Sequence, residues 1–389
     1  MKSSYGFGDC IRREIRRMGS RPAYLIGMVV IPLAVVFFFV SLLGVGLPQR
    51  IPNAVVDLDQ SSMSRQVRRT LDASQLVDLS QDAESYDRAL EMVRSGEIYG
   101  FFVIPAHFER DALAGRTPTL EYYTNMTYFV PGTLSFKGFK QVAVTTSGGL
   151  ARNTLISLGV DPQRIGGLLQ PVAIEINPLN NPWMNYSIYM SPSFSMATFV
   201  LMIMIMTVMS ITGEIKDGTS PQWLATARGR ISVALAGKML PHTIVYCCVG
   251  LLMLWVYFGW QHFPLHGNLG WMMLATFLLI LASQGFALFI CCIIPNPRLA
   301  YSVCALFGVL SYSFAGFSMP VTSMYGGIAI FSWLAPVRYW YLIFLNEALN
   351  GFPLYYARWV FVALIAFAIV PWLLVSRLRK AVSNPVYVP

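Results

Sequence analysis

The sequence predicts a polytopic α-helical membrane protein with six transmembrane helices plus an α/β extracytoplasmic domain inserted after the first helix. Of its 389 residues, 55% are hydrophobic and only 12% are charged, whereas soluble domains carry about 25% charged residues. Together with a mean hydropathy of +0.55, this composition excludes a disordered chain, a collagen-like fibre and a typical soluble enzyme. Residues 48–190 hold 26 of the 47 charges. A segment of nearly ordinary charge content in a charge-poor chain indicates a soluble insert in a membrane scaffold.

Six apolar stretches are long enough to cross a membrane, since a transmembrane helix needs about 20 mostly apolar residues. The first is 23–47; the other five lie within 191–376, at 194–212, about 233–260, 271–294, about 299–319 and about 359–375. A further apolar piece is broken by Pro336 and by the pair Gly326–Gly327. It is expected to dip into the membrane as an outer re-entrant hairpin, 320–350, rather than to cross it.

The amino-terminal segment, 1–22, carries six Lys/Arg. Ile11, Ile15 and Met18 share one face of a helix there, which predicts a basic amphipathic helix lying on the anionic cytoplasmic face of the bilayer. The apolar run that follows is longer than a secretory signal core and has no small-residue cleavage site. It is therefore predicted to be a retained anchor.

Loop charges predict the orientation, because cytoplasmic loops are enriched in Lys and Arg. The six-span arrangement puts 14 Lys/Arg on one side, with Lys238 counted as a loop charge, and none in the opposing loop 261–270. Both termini, including the tail 377–389, are therefore predicted to be cytoplasmic, in a bacterial inner membrane, with 48–190 outside. The net charge of +9 follows from this asymmetry and does not indicate a nucleic-acid-binding surface.

The insert alternates strands with helices, which is typical of an α/β domain with a mixed sheet. The strongest strand signal is 98–104 (IYGFFVI), which ends at Pro105. The other predicted strands are 53–58, 75–79, 119–124 and 172–176, and the predicted helices are 62–71, 84–94 and 131–158. None of the six cysteines lies in the insert, so an ordinary hydrophobic core must stabilise it.

No catalytic, cofactor or metal motif is found. Gly237–Lys238 lacks the upstream glycine of a phosphate-binding loop. Pro264 separates His262 from His266 and spoils the helical geometry of a metal pair. The chain is therefore predicted not to be an enzyme and to bind no cofactor directly. Scarce charges in the spans argue against an ion-coupled carrier.

The second span is rich in methionine, which accepts varied apolar ligands at binding surfaces but also simply fills helix interfaces. Both interpretations remain open. With spans two and five taken as the lining of a path, the candidate substrate-path residues are Met202, Met206, Met209, Ser313 and Phe314.

Short motifs along the whole chain resemble those of one transporter family. In the insert they are 55–62 (VVDLDQSS), 95–97 (SGE) and 102–108 (FVIPAHF). In the loop after the second span they are Glu214, Asp217, Gly218–Thr219, Leu224, Thr226 and Gly237–Lys238. After the fifth span they are Gly316–Phe317, Met319–Pro320, Met324, Pro336, Arg338–Tyr339 and Gly351. In order and spacing the chain resembles the membrane subunit of an ABC-2 type (type V) exporter, in the branch with a large extracytoplasmic domain between the first two transmembrane helices.

The resemblance implies a permease subunit that works with separate cytoplasmic ATPase subunits, which use the ATP, and with a second permease copy or a paralogue. It also implies a possible periplasmic adaptor. The loop 214–232 would be the ATPase-coupling element, through Glu214, Lys216, Asp217, Gly218, Thr219, Trp223 and Leu224. The sequence departs from the family's usual pattern at Pro221, Ala227, Ser232, Leu345 and Asn350. Such departures would suit one half of a heterodimer.

The charge-poor path suggests an amphipathic or hydrophobic cargo, such as a drug, a lipid or a metabolite. Two alternatives stay open at this point. The chain could be a membrane-anchored receptor or scaffold whose outer domain binds a ligand or an envelope partner without transport. The loop 214–232 could be a solvated loop that only carries positive charge.

Overall fold

The computed structural model describes residues 6–169, 180–181 and 185–385. The chain divides into two compact units, which are a helical unit of Met1–Gly46 with Pro178–Pro389 and a second unit of Leu47–Asn177. The strand expected at 172–176 lies outside the described residues.

The chain begins with helix α1, Phe7–Ser20, followed directly by α2, Pro22–Leu42. Pro22 starts the new helix because proline is tolerated in the first turn, where its missing N–H needs no partner. The sequence places α1 on the membrane surface with its arginines toward lipid headgroups. In the structure, two of those arginines, Arg13 and Arg17, point instead at Glu214 of the same unit.

The described part of the second unit is built on a four-stranded sheet, in which Ile51–Asp57 lies between Val77–Asp82 and Gly100–Ile104, and Glu121–Thr124 pairs with Gly100–Ile104 at the edge. The strands β1 and β2 and their helices run Ile51–Asp57 (β1), Ser62–Asp72 (α3), Val77–Asp82 (β2) and Tyr86–Ser95 (α4). The rest runs Gly100–Ile104 (β3), Phe108–Leu113 (α5), Glu121–Thr124 (β4), Phe129–Ser157 (α6) and Pro162–Leu169 (α7). β1 is parallel to β2 and β3, while β4 is antiparallel to β3.

Both faces of this sheet are covered, which explains the unbroken apolar run of β3. Phe102 and Val55 pack into one core, and Phe101 and Val56 pack into the other. Strands buried on both faces read as continuous hydrophobic runs rather than alternating ones. The four strands and the helices α3, α4 and α6 each lie within a few residues of their expected positions, whereas α5 and α7 were not predicted.

The helical unit continues with α8, Tyr186–Lys216, and the short helix α9, Ser220–Thr226. Then follow α10 (Ile231–Trp260), α11 (Leu269–Ile293), α12 (Pro297–Phe314), α13 (Gly326–Ser332), α14 (Pro336–Asn350) and α15 (Leu354–Ser383). α8 begins eight residues before the expected second span, because the Asn185 side chain caps it by accepting from the Ser187 N–H at 2.8 Å. The last residues of the predicted 48–190 insert therefore belong to this helix.

Among the residues that the structure describes, five helices are long and apolar enough to cross a membrane: α2, α8, α10, α11 and α15. A sixth candidate is the pair α13 and α14, which is bent by 83°. α12, the expected fifth span, is outside this set, but it runs along α8 from end to end. Tyr301 near its start shares a cleft with Met209, and Tyr312 near its end hydrogen-bonds to Thr198.

The start and the close of the bent pair both lie at one end of the helical unit. Phe317, just before it, packs on Phe194 near the start of α8. At its close, the backbone oxygen of Glu347 accepts a hydrogen bond from Gly267, in the loop between α10 and α11, at 2.7 Å. This end also holds the close of α2, since Tyr186 donates to the Gly46 carbonyl. Both ends of the pair therefore lie at the same end of the helical unit, as the expected re-entrant hairpin requires, and the re-entrant assignment stays a prediction.

Candidate functional site

Six charged or titratable side chains meet inside the helical unit, at the end opposite the hairpin. This charge cluster consists of Arg13, Glu14, Arg17, Glu214, Lys238 and His242, contributed by α1, α8 and α10. The side chains of Glu14, Glu214 and Lys238 are at most 1% exposed. Charges this deeply buried are stable only when paired and hydrogen-bonded.

Glu214, near the end of α8, is the most heavily contacted carboxylate. Arg13 donates two hydrogen bonds to it, from Nη1 to Oε1 at 2.7 Å and from Nη2 to Oε2 at 2.8 Å. Arg17 and the hydroxyl of Thr219 also donate to it. Lys238 Nζ lies 2.9 Å from Oε1. The paired, planar geometry of the Arg13 contact is the strong form of an arginine–carboxylate bond.

Glu14 is the second carboxylate, and Lys238 links it to the first. Lys238 Nζ lies 2.5 Å from Oε2 of Glu14, while His242 Nε2 and Ser210 Oγ each lie 2.9 Å from Oε1. Burial alone would raise the pKa of Glu14, but the hydrogen bond to His242 and the positive charge of Lys238 prevail and lower it to about 2. Glu14 is therefore ionised at neutral pH and binds α1 to α10.

The short helix α9 rests on this cluster. Trp223 is buried, and Lys238 Nζ lies 5.0 Å from its ring centroid, which is a cation–π contact. Ser220 Oγ donates to the carbonyl of Val382 in α15 at 2.8 Å. Thr226 Oγ1 lies 3.4 Å from the sulfur of Cys10 in α1. α9 is thus fixed to three other helices.

The residues predicted to couple to an ATPase fall into three groups by their exposure to solvent. Lys216, Asp217 and Gly218 are exposed and Thr219 and Leu224 are half-buried, whereas Glu214 and Trp223 are buried. The exposed group forms the turn between α8 and α9, where Gly218 adopts φ +66°, a conformation that favours glycine. This group presents the most surface to solvent, while Glu214 and Trp223 are buried.

Asp217 connects the exposed turn to the cluster. Its Oδ2 lies 2.7 Å from Arg21 and 3.3 Å from Arg17, and Arg17 also contacts Glu214. Arg17, which contacts both carboxylates, therefore links the turn to α1.

The candidate substrate-path residues are not gathered around one cavity. Met206 is buried against α2, where a Cβ on Gly27 would lie 2.5 Å from its sulfur. Met209 lines a cleft of about 410 Å³ with residues of α8 and α12, and Met202 is half-buried. Phe314 is buried and Ser313 is exposed. Met206 thus fills a helix interface in this conformation.

Sequence reasoning did not identify Glu14 or His242, and the assignment of Lys238 to a loop is wrong. Lys238 lies inside α10, and its charge is accommodated there because two carboxylates flank it. A signal was available: Lys238 and His242 are four residues apart and therefore share one face of an otherwise apolar helix. Nothing in the sequence pairs them with Glu14, which is more than 220 residues away.

A family model described as "ABC-2 family transporter protein" matches residues 22–377. The chain belongs to the ABC-2 family of transporter proteins. The family expected from the motifs is therefore confirmed, and the branch with the extracytoplasmic domain stays a prediction. None of the curated proteins matches the chain.

Members of this family are membrane permease subunits of ABC transporters that lack a nucleotide-binding domain. They generally work with a cytoplasmic ATPase in a lipid bilayer. This ABC-2 transporter protein is accordingly a multi-pass membrane permease. Its charge cluster lies beside α9, in the segment between α8 and α10 that the sequence predicts to be the coupling element.

Proposed function

We propose that this protein is the permease subunit of an ATP-driven exporter that moves an amphipathic or hydrophobic substrate, such as a drug, a lipid or a metabolite. Six crossings, formed by α2, α8, α10, α11, α12 and α15, put both termini in the cytoplasm of a bacterial cell. The enrichment of Lys and Arg supports a cytoplasmic position for the end that holds the charge cluster. The second unit is then extracytoplasmic.

The observation that carries the proposal is the attachment of α9 to the charge cluster. The exposed turn 216–218 supplies the surface that an ATPase subunit contacts. Its displacement passes through Trp223 and Lys238 to both buried carboxylates, and so to three helices at once. Buried ion pairs suit this task, because separating them is costly and the helices that carry them move together.

Two copies, or this chain with a paralogue, enclose the substrate between their α8 and α12 helices. The half-buried Met202 and Met209 and the exposed Ser313 are the lining residues that this conformation leaves accessible. The extracytoplasmic unit is the docking surface for a periplasmic adaptor. Neither interaction requires ATP to bind this chain.

Reconstitution with the ATPase encoded beside the gene tests the coupling assignment. Trp223→Ala removes the ring that lies over Lys238 and is expected to abolish permease-dependent ATP hydrolysis while the two subunits still bind. Trp359→Ala is the matched control, because Trp359 is 69% exposed near the start of α15. If Trp223→Ala hydrolyses ATP like the unaltered permease, the coupling assignment fails.

A further inference from the structure

Arg338, in the re-entrant hairpin, is a cation without an anion. It lies in the first turn of α14, and its Nε is buried without a hydrogen-bond partner. Within residues 6–169, 180–181 and 185–385, its guanidinium forms no ion pair or hydrogen bond. The nearest acid along the hairpin, Glu347, is engaged by the Asn346 amide at 3.2 Å.

The surroundings of the guanidinium are apolar and aromatic. Its central carbon lies 5.7 Å from the ring centroid of Trp333. A Cβ placed on Gly316 would lie 3.6 Å from Nη1. Arg338 is half-buried overall, and the burial of its Nε among such groups carries a desolvation cost that no described residue offsets. The part of the chain that the structure describes therefore supplies no acceptor for it, and the half-buried side chain leaves room for one from outside.

The chemistry of the site specifies that acceptor. A guanidinium presents five donors in a planar fork that fits the two oxygens of a phosphate or carboxylate. The hairpin beside it exposes large apolar side chains: Trp333 is 62% exposed and Ile330 65%. The ligand must combine an oxyanion with a hydrocarbon part.

The position of Arg338 along the helical unit also fits a lipid ligand. Gly316 precedes Phe317, whose ring packs on Phe194 near the end of the unit where the hairpin enters and leaves. The guanidinium therefore lies toward this end, and the exposed apolar residues of α13 extend from it. A phospholipid would match this arrangement, with its phosphate at the guanidinium and its acyl chains along the exposed apolar residues of α13.

We propose that Arg338 binds the phosphate of a bilayer phospholipid whose acyl chains lie against the exposed apolar side of α13. The lipid supplies the missing counter-charge and holds the hairpin in its re-entrant position. This site is separate from the charge cluster and does not depend on export or on an ATPase.

Native mass spectrometry of the purified, delipidated full chain tests the proposal with two probes, phosphatidylglycerol and diacylglycerol, which lacks the phosphate. The unaltered chain is expected to bind phosphatidylglycerol at least about tenfold more tightly than diacylglycerol. Arg338→Gln should remove that preference, and Arg338→Lys should keep part of it, since a lysine retains the charge without the fork. Arg358→Gln is the matched control, because Arg358 is exposed and packs on Tyr355 at 3.6 Å.

Three results would overturn the proposal. The unaltered chain could bind both probes equally, which needs no variant and so does not depend on the folding of one. Arg338→Gln could keep the preference for phosphatidylglycerol. Finally, the lipid-free chain could be a dimer that only Arg338→Gln dissociates, which would assign the acceptor to a second copy.

Discussion

Replacing Glu14 by glutamine tests whether the charge cluster holds α1 in place. Glutamine has nearly the same shape but no charge, so Lys238 and His242 lose the anion that they share. The pKa of Glu14 is lowered from 4.5 to about 2, which corresponds to about 3 kcal/mol in favour of the ionised form. A loss of this size raises the population of the detached α1 about a hundredfold.

Cys10 reports this detachment directly. It is buried on α1 and touches Thr226, so an alkylating reagent reaches it only when α1 separates. Alkylation of Cys10 at neutral pH, read by peptide mass spectrometry of the full chain, should be about a hundredfold faster in Glu14→Gln. The control is Glu91→Gln, because Glu91 and its partner Arg88 are both more than half exposed and such pairs contribute little.

The contribution of Glu14 to the stability of the unaltered chain has a defined pH dependence, which Glu14→Gln lacks. Because the pKa of Glu14 is lower in the folded chain, its contribution is complete above pH 4.5 and is lost as the pH falls toward 2. The unfolding temperature of the unaltered chain should therefore approach that of Glu14→Gln over this range. Equal Cys10 reactivity at neutral pH in the two proteins would refute the assignment of Glu14 as the anchor of α1.

Three further substitutions test other contacts. Lys238→Met leaves two buried carboxylates without their shared cation and should lower stability by about 3–5 kcal/mol, measured as a fall in the unfolding temperature. Gly27→Val should destabilise the packing of α2 on α8 by about 1–3 kcal/mol; Met206→Ala should restore the unfolding temperature, and failure to do so would place the clash elsewhere. Asn53→Leu removes the buried donor to Ser135 Oγ (3.1 Å), should cost about 1–3 kcal/mol, and is checked by faster proteolysis of the second unit.

Local signals were sufficient to predict most of the fold. The run that contains Phe101 and Phe102 identifies β3, since a strand covered on both faces must be apolar throughout. The limits of α6 follow from Pro131 near its start and Gly159 just after its end. The start of α8 was missed because an asparagine cap, and not the apolar run, determines it.

The candidate site was predicted less well, because its contacts join distant parts of the chain. The turn 216–218 was placed correctly on the surface by its polarity. The arginines of α1 suit an acidic lipid surface equally well, and only the fold shows that Glu214 attracts two of them. The burial of Trp223 likewise depends on contacts between α9 and distant helices, among them the contact with Lys238, about two turns into α10.

The separation of these partners along the chain has a consequence for biogenesis. Glu14 and His242 are 228 residues apart, so at 5–20 residues per second roughly 10–45 s pass between their synthesis. Glu214 of α8, the partner of Arg13 and Arg17, is made during that interval, and the contacts of Glu14 with Lys238 and His242 form only when α10 is inserted. Cys10 should accordingly be reactive in ribosome-bound chains that end before α10 and protected in longer ones. Lys238 is therefore made and inserted when its counter-anion, Glu14, has already been synthesised.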